Sequence, residues 1–110
     1  MNQNNQFQED RRIFERFTAT LPVNLIDLDA GKESQGQTCD VSAKGVGVVG
    51  EEYLKPGDRL ELWLKIDDGK GPLYTKGSVM WSEQQETGKY RSGILLERAE
   101  LMGMARIFRS

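Results

Sequence analysis

The sequence predicts an all-β domain finished by one C-terminal helix. Three observations carry that prediction. Short stretches alternate apolar and polar residues, as half-buried strands do. Gly, Pro and Asp clusters separate them with no helical pattern between. A single helical period then appears at the very end of the chain. Strands joined by short turns form an antiparallel sheet or a closed barrel. The length of 110 residues, with 37% hydrophobic and 29% charged residues, suits one soluble domain around a single core.

Residues 1–10 open the chain with a polar stretch and are expected to be a flexible tail. Arg11, Arg12 and Arg16 follow within six positions. One reading makes Glu9–Phe17 a short helix, with Ile13, Phe14 and Phe17 on its apolar face. The other makes 11–17 an arm that clasps an anion. Arginine favours the second, because its planar fork can grip a phosphate or lie on a base. Glu9, Asp10 and Glu15 must then point away from the bound anion.

Thr18 to Leu28 reads as one strand. Leu21, Val23 and Leu25 alternate along it, and the phase slip at Leu25-Ile26 predicts a bulge or a strand covered on both faces. Asp29-Ala-Gly31 marks a turn, and Glu33 to Ser42 a weakly patterned strand. Val46 to Val49 is a short strand, and Lys55-Pro-Gly-Asp58 fits a type II turn. Leu60, Leu62, Leu64 and Ile66 then point inward from the clearest strand. Asp67 to Gly71 is a loop. Leu73 to Glu83 carries Val79 and Trp81 on one face, with Gly77 as a bulge or a close approach. Glu86-Thr-Gly88 turns into a strand over Tyr90 to Leu96. The closing helix spans about 99–109, with Leu101, Met104, Ala105 and Phe108 at i, i+3, i+4 and i+7. Gly103 weakens it by about 1 kcal/mol relative to Ala.

The chemistry concentrates in Asp40-Val-Ser-Ala-Lys-Gly45. Asp40 and Ser42, two apart on an extended chain, leave by the same face. Gly45 allows a turn or a close backbone approach. A carboxylate, a hydroxyl and backbone amides at a strand end suit a ligand edge with both donors and acceptors, such as guanine. The competing reading is a turn in which Asp and Ser bond their own backbone.

Composition excludes much else. The net charge of −2 argues against duplex nucleic acid, which needs many basic groups. The absence of histidine removes the usual general base and the commonest metal ligand, so neither an enzyme nor a metal or cofactor is expected. Cys39, the lone cysteine, has no disulfide partner in the chain, and no run of about 20 apolar residues spans a membrane. With no signal peptide evident, a cytoplasmic protein is expected.

Two spaced motifs together resemble the PilZ domain family of bacterial cyclic di-GMP receptors. Two arginines separated by three residues occur as Arg12-Ile-Phe-Glu-Arg16. The pattern of Asp, one residue, Ser, two residues and Gly occurs as Asp40 to Gly45. Gly77 to Trp81 and Tyr90 to Ile94 are similar to the family's second half. The resemblance implies a six-stranded antiparallel β-barrel with the arginine stretch as a mobile arm. It also implies that Arg11, Arg12, Arg16, Asp40, Ser42 and Gly45 bind cyclic di-GMP, two molecules per chain, on behalf of an unknown downstream protein. Trp81 is a further candidate contact, its alternative place being the barrel core. The rival readings are a ligand-independent adaptor of the same fold and a small barrel that stacks single-stranded nucleic acid on Trp63.

Overall fold

The computed structural model describes residues 16–109. The expected tail, and Arg11 and Arg12 of the arm, lie outside them. The elements are β1 (Phe17–Thr18), β2 (Pro22–Asp27), β3 (Lys32–Val41), β4 (Gly45–Gly50), β5 (Arg59–Leu64), β6 (Leu73–Gln84), β7 (Tyr90–Leu96) and α1 (Leu101–Arg109). Neighbouring strands pair antiparallel in the order β3-β2-β5-β6-β7-β4, and β4 pairs back onto β3. Six strands therefore close into a barrel, the architecture that the resemblance implied.

Leu60, Leu62 and Leu64 of β5 are fully buried, and Val23, Leu25, Val41, Val48, Val79 and Ile94 complete the interior. Burying each such side chain contributes about 1.5–3 kcal/mol. The Lys55–Asp58 turn forms as its residues demand: Asp58 N donates to Lys55 O at 3.0 Å, and Gly57 has φ 94°. Gly77 is a close approach, since a Cβ there would lie 2.5 Å from Leu95 O.

Four expectations need correction. Thr18 to Leu28 is not one strand: the chain leaves the ladder between β1 and β2. Thr38 replaces the ladder there, its Oγ1 accepting from Leu21 N at 2.9 Å and donating to Ala19 O. The bulge expected at Leu25-Ile26 is absent, because β2 pairs without a shift on both sides. Ile26 simply stays half-buried on the outer face.

The bulges lie elsewhere, in β3 between Thr38 and Asp40 and in β6 between Val79 and Trp81. Each resets the in–out alternation. Thr38 and Val41 are both buried although three apart, which leaves Cys39 and Asp40 on the outside. In the same way the β6 bulge separates Trp81 from Val79. Trp81 is 44% exposed and is not a core residue.

The buried face of α1 is also shifted from the expected one. Met104 and Ile107 pack into the core, Ala105 is only half-buried and Phe108 is 69% exposed; the Leu101 side chain lies outside the described set. Gly103 is the reason α1 sits so close, because a Cβ there would lie 2.5 Å from Leu73 Cδ2. Its cost in helix propensity is offset by close packing on the barrel.

Candidate functional site

The two bulges flank one patch of the outer wall. The register places Asp40 opposite Gly47, Gly47 opposite Gly93, and Gly93 opposite Trp81. A row thus crosses β3, β4, β7 and β6 with a carboxylate at one end, an indole at the other and two glycines between. Both glycines are required by contact. A Cβ on Gly47 would lie 2.8 Å from Asp40 Oδ1, and one on Gly93 would lie 2.3 Å from Trp81 Nε1. The carboxylate and the indole therefore lie down over bare backbone.

Arg16 reaches this row from the residue before β1. Its Nη1 pairs with Asp40 Oδ1, and its Nη2 would lie 2.9 Å from a Cβ at Gly45. β1 steers it there, because Phe17 pairs with Val41 and Thr18 with Asp40. A second arginine holds the other carboxylate oxygen: Arg91 Nη2 of β7 donates to Asp40 Oδ2 at 2.9 Å. Attraction to Cys39 first, and then the hydrogen bond to Asp40, raises the Arg91 guanidinium above its ordinary value. The Asp40 side chain is 22% exposed, against 52% for Arg16.

Ser42 answers to the turn reading. Its Oγ accepts from Gly45 N at 3.1 Å and Lys44 N at 3.3 Å, and Ser42 N donates to Gly45 O at 2.8 Å. The amides expected to face a ligand are thus held within the β3–β4 turn, and Ser42 itself is buried. Asp40 takes no part in that turn. The six-residue motif accordingly divides its labour, with Ser42 shaping the hairpin and Asp40 facing outward. Beside the row lies an open hollow of about 260 Å³ lined by Arg16, Lys44, Gly45, Trp81, Gly93 and Leu95, among others.

The structure therefore brings together Arg16, Asp40, Ser42, Gly45 and Trp81. Arg11 and Arg12 lie outside the described residues. Sequence reasoning missed Gly47, Gly93 and Arg91. The glycines carried a signal, since glycine inside a valine-rich strand marks a close approach. Arg91 carried none, being one isolated arginine near the start of a strand.

The PilZ domain family model matches residues 10–102. The chain belongs to the PilZ domain family. Solved structures agree on the fold. The PilZ domain of YcgR from Escherichia coli, solved with c-di-GMP, superposes with a TM-score of 0.70 at 15% identity, covering 90% of each chain. The Bacillus subtilis inhibitor of motility MotI/DgrA gives 0.69 at 18% identity over 90% of this chain and 51% of its own. The chain thus spans about half the length of that relative. The PilZ domain of CeSA from a cellulose-synthesizing bacterium gives 0.59 at 20% identity, covering 86% of this chain and 92% of its own. No curated protein matches the chain. Among the described residues of this PilZ domain, no helix is long and apolar enough to cross a membrane.

Proposed function

We propose that this PilZ domain is a receptor for cyclic di-GMP, a binding module rather than an enzyme. The observation that carries the reading is the row from Asp40 through Gly47 and Gly93 to Trp81, with Arg16 paired to its Asp40 end. The two glycines let the carboxylate and the indole lie flat on the wall, which leaves the indole face open to a planar base. Trp81 offers a face for stacking, worth about 1–3 kcal/mol per base. Asp40 can accept from the N1–H and N2–H edge of guanine, an edge that adenine does not offer. Arg12 and Arg16 supply forked donors for phosphate oxygens or for guanine O6 and N7. Gly45 keeps the wall low, and Ser42 holds the hairpin that presents it.

The ligand class is supported by family membership and by the c-di-GMP in the YcgR PilZ domain structure. Two molecules per chain fit the sequence, because Arg11 adds a third guanidinium for the second ligand's phosphates and bases. Occupancy is passed to a downstream protein through a changed surface, and α1 is the element best connected for that task. Phe17, next to Arg16, stacks on Phe108 with ring centroids 4.4 Å apart. At the other end of α1, Glu100 N donates to Ala43 O, inside the second motif, at 2.8 Å. Movement of either motif is therefore felt at one end of the helix.

Calorimetric titration of cyclic di-GMP, with GMP as the control, tests the reading. The expected result is micromolar or tighter binding, about −8 kcal/mol, at two ligands per chain. Arg11→Ala should lower that ratio toward one while binding persists. No heat and no shift of the thermal midpoint at millimolar ligand would overturn the receptor reading and leave the ligand-independent adaptor.

A further inference from the structure

We propose that Arg91 is a positioning residue: it holds the Asp40 carboxylate in its orientation while Arg16 leaves it for the ligand. The inference rests on the receptor reading and names a residue outside both motifs. Asp40 is shared, with Oδ1 taken by Arg16 and Oδ2 by Arg91. The two arginine side chains are similarly exposed, 52% for Arg16 and 41% for Arg91, and differ in the backbone that carries them. Arg16 is the residue before the two-residue strand β1, which pairs with β3 alone. Arg91 stands near the start of β7 with a strand on each side, paired with Val49 on one and Glu83 on the other. Its Nε is buried and has no hydrogen-bond partner among the described residues. Arg91 is therefore the resident partner and Arg16 the exchangeable one.

The exchange has a cost that Arg91 removes. If Arg16 turned to a phosphate or a base and Asp40 had no other cation, a partly exposed carboxylate would lose its paired charge at the moment it has to face the ligand. Its two ends would also be free to rotate. With Arg91 in place the carboxylate keeps a cationic partner, and its plane is held by one fixed bond. Oδ1 is then the oxygen released to a guanine edge. Gly47 makes this geometry attainable, because any side chain there would collide with both Asp40 and Cys39.

A double-mutant cycle on cyclic di-GMP affinity, read by NMR shift titration so that weak binding stays measurable, decides the matter. Arg91→Ala should weaken binding about tenfold or more, the effect of losing a charged hydrogen bond. In an Asp40→Asn background the same change should alter affinity by less than about twofold, because Arg91 then has no carboxylate to hold. Arg91→Lys keeps a cation with one donor to Asp40. It should recover part of the loss, and it serves as the test variant if Arg91→Ala fails to fold. Equal losses in both backgrounds would make Arg91 a direct ligand contact and overturn the positioning role. An unchanged affinity in Arg91→Ala would overturn it as well. Absence of binding by the wild type would instead remove the receptor reading, and this inference with it.

Discussion

Asp68 and Asp40 both pair with arginine, and the pairs are built differently. Arg106 grips Asp68 as a fork, Nε to Oδ2 at 2.8 Å and Nη2 to Oδ1 at 2.9 Å. Lys70 N adds a bond to the same carboxylate at 3.0 Å, and Arg106 also donates to Gly71 O. The bonds close the β5–β6 loop onto α1, and the hydrogen bonds from Arg106 hold the Asp68 carboxyl well below its usual range. Asp40 instead divides its oxygens between Arg16 and Arg91, one bond each. A forked pair satisfies both partners at once. A shared carboxylate leaves each arginine joined by one bond, and both arginines are largely exposed, at 52% and 41%. The first arrangement fastens a helix, and in the second each arginine has only one bond to give up.

The comparison breaks most visibly at Asp40. Asp40→Ala should weaken cyclic di-GMP binding by about 100-fold while leaving the thermal midpoint nearly unchanged, because partly exposed ion pairs contribute only about 0–1 kcal/mol to folding. Titration beside thermal melting checks both halves. A collapse of the midpoint would make Asp40 a structural residue like Asp68. Arg16→Ala comes next, with a loss of about 10- to 100-fold for a charged hydrogen bond and again little change in melting.

Arg106→Ala should do the reverse, lowering the midpoint by several degrees with affinity preserved. Its partner adds a pH signature. Asp68 has its carboxyl lowered in the folded state, so its stabilisation is present above its unfolded value near 3.8 and is lost as pH falls through the folded value. The midpoint difference between wild type and Asp68→Asn should hold from neutral pH down to about 4 and shrink below that.

The smallest effect lies at the opposite end of the barrel. There the Asp27, Asp29 and Asp58 carboxylates lie within 4.8 Å of one another. The hydrogen bond to Asp27 is the main cause that raises the Asp58 carboxyl above its ordinary value. A carboxyl raised by folding opposes stability while it is ionised. Asp58→Asn should therefore raise the midpoint slightly at neutral pH. That gain should vanish as pH falls through the raised folded value and the wild-type carboxyl takes up its proton. Melting curves across pH read it directly.

Much of this was legible in the chain. Leu60, Leu62 and Leu64 alternate so cleanly that β5 could be read from them, and Pro56-Gly57 wrote its own turn. The arginine and Asp-Ser-Gly spacings pointed to Arg16, Asp40, Ser42 and Gly45, which the fold brings to one patch. The bulges at Cys39 and Met80 were not legible. A bulge is a mismatch between two strands, and a single strand's pattern does not contain its partner's register. The exposure of Trp81 followed from that unseen bulge. Arg91 was missed for the same reason, because its partner Asp40 lies 51 residues away.

The contrast between the shared and the forked carboxylate can be tested in one spectrum. Arginine Nε–H resonances of nitrogen-15-labelled protein, recorded with and without saturating cyclic di-GMP, report on Arg16 and Arg106 together. The predicted result is a large shift for Arg16 as it leaves Asp40, with Arg106 unmoved on Asp68. Saturated protein in which Arg16 stays in place, or in which Arg106 moves as far, would contradict the account.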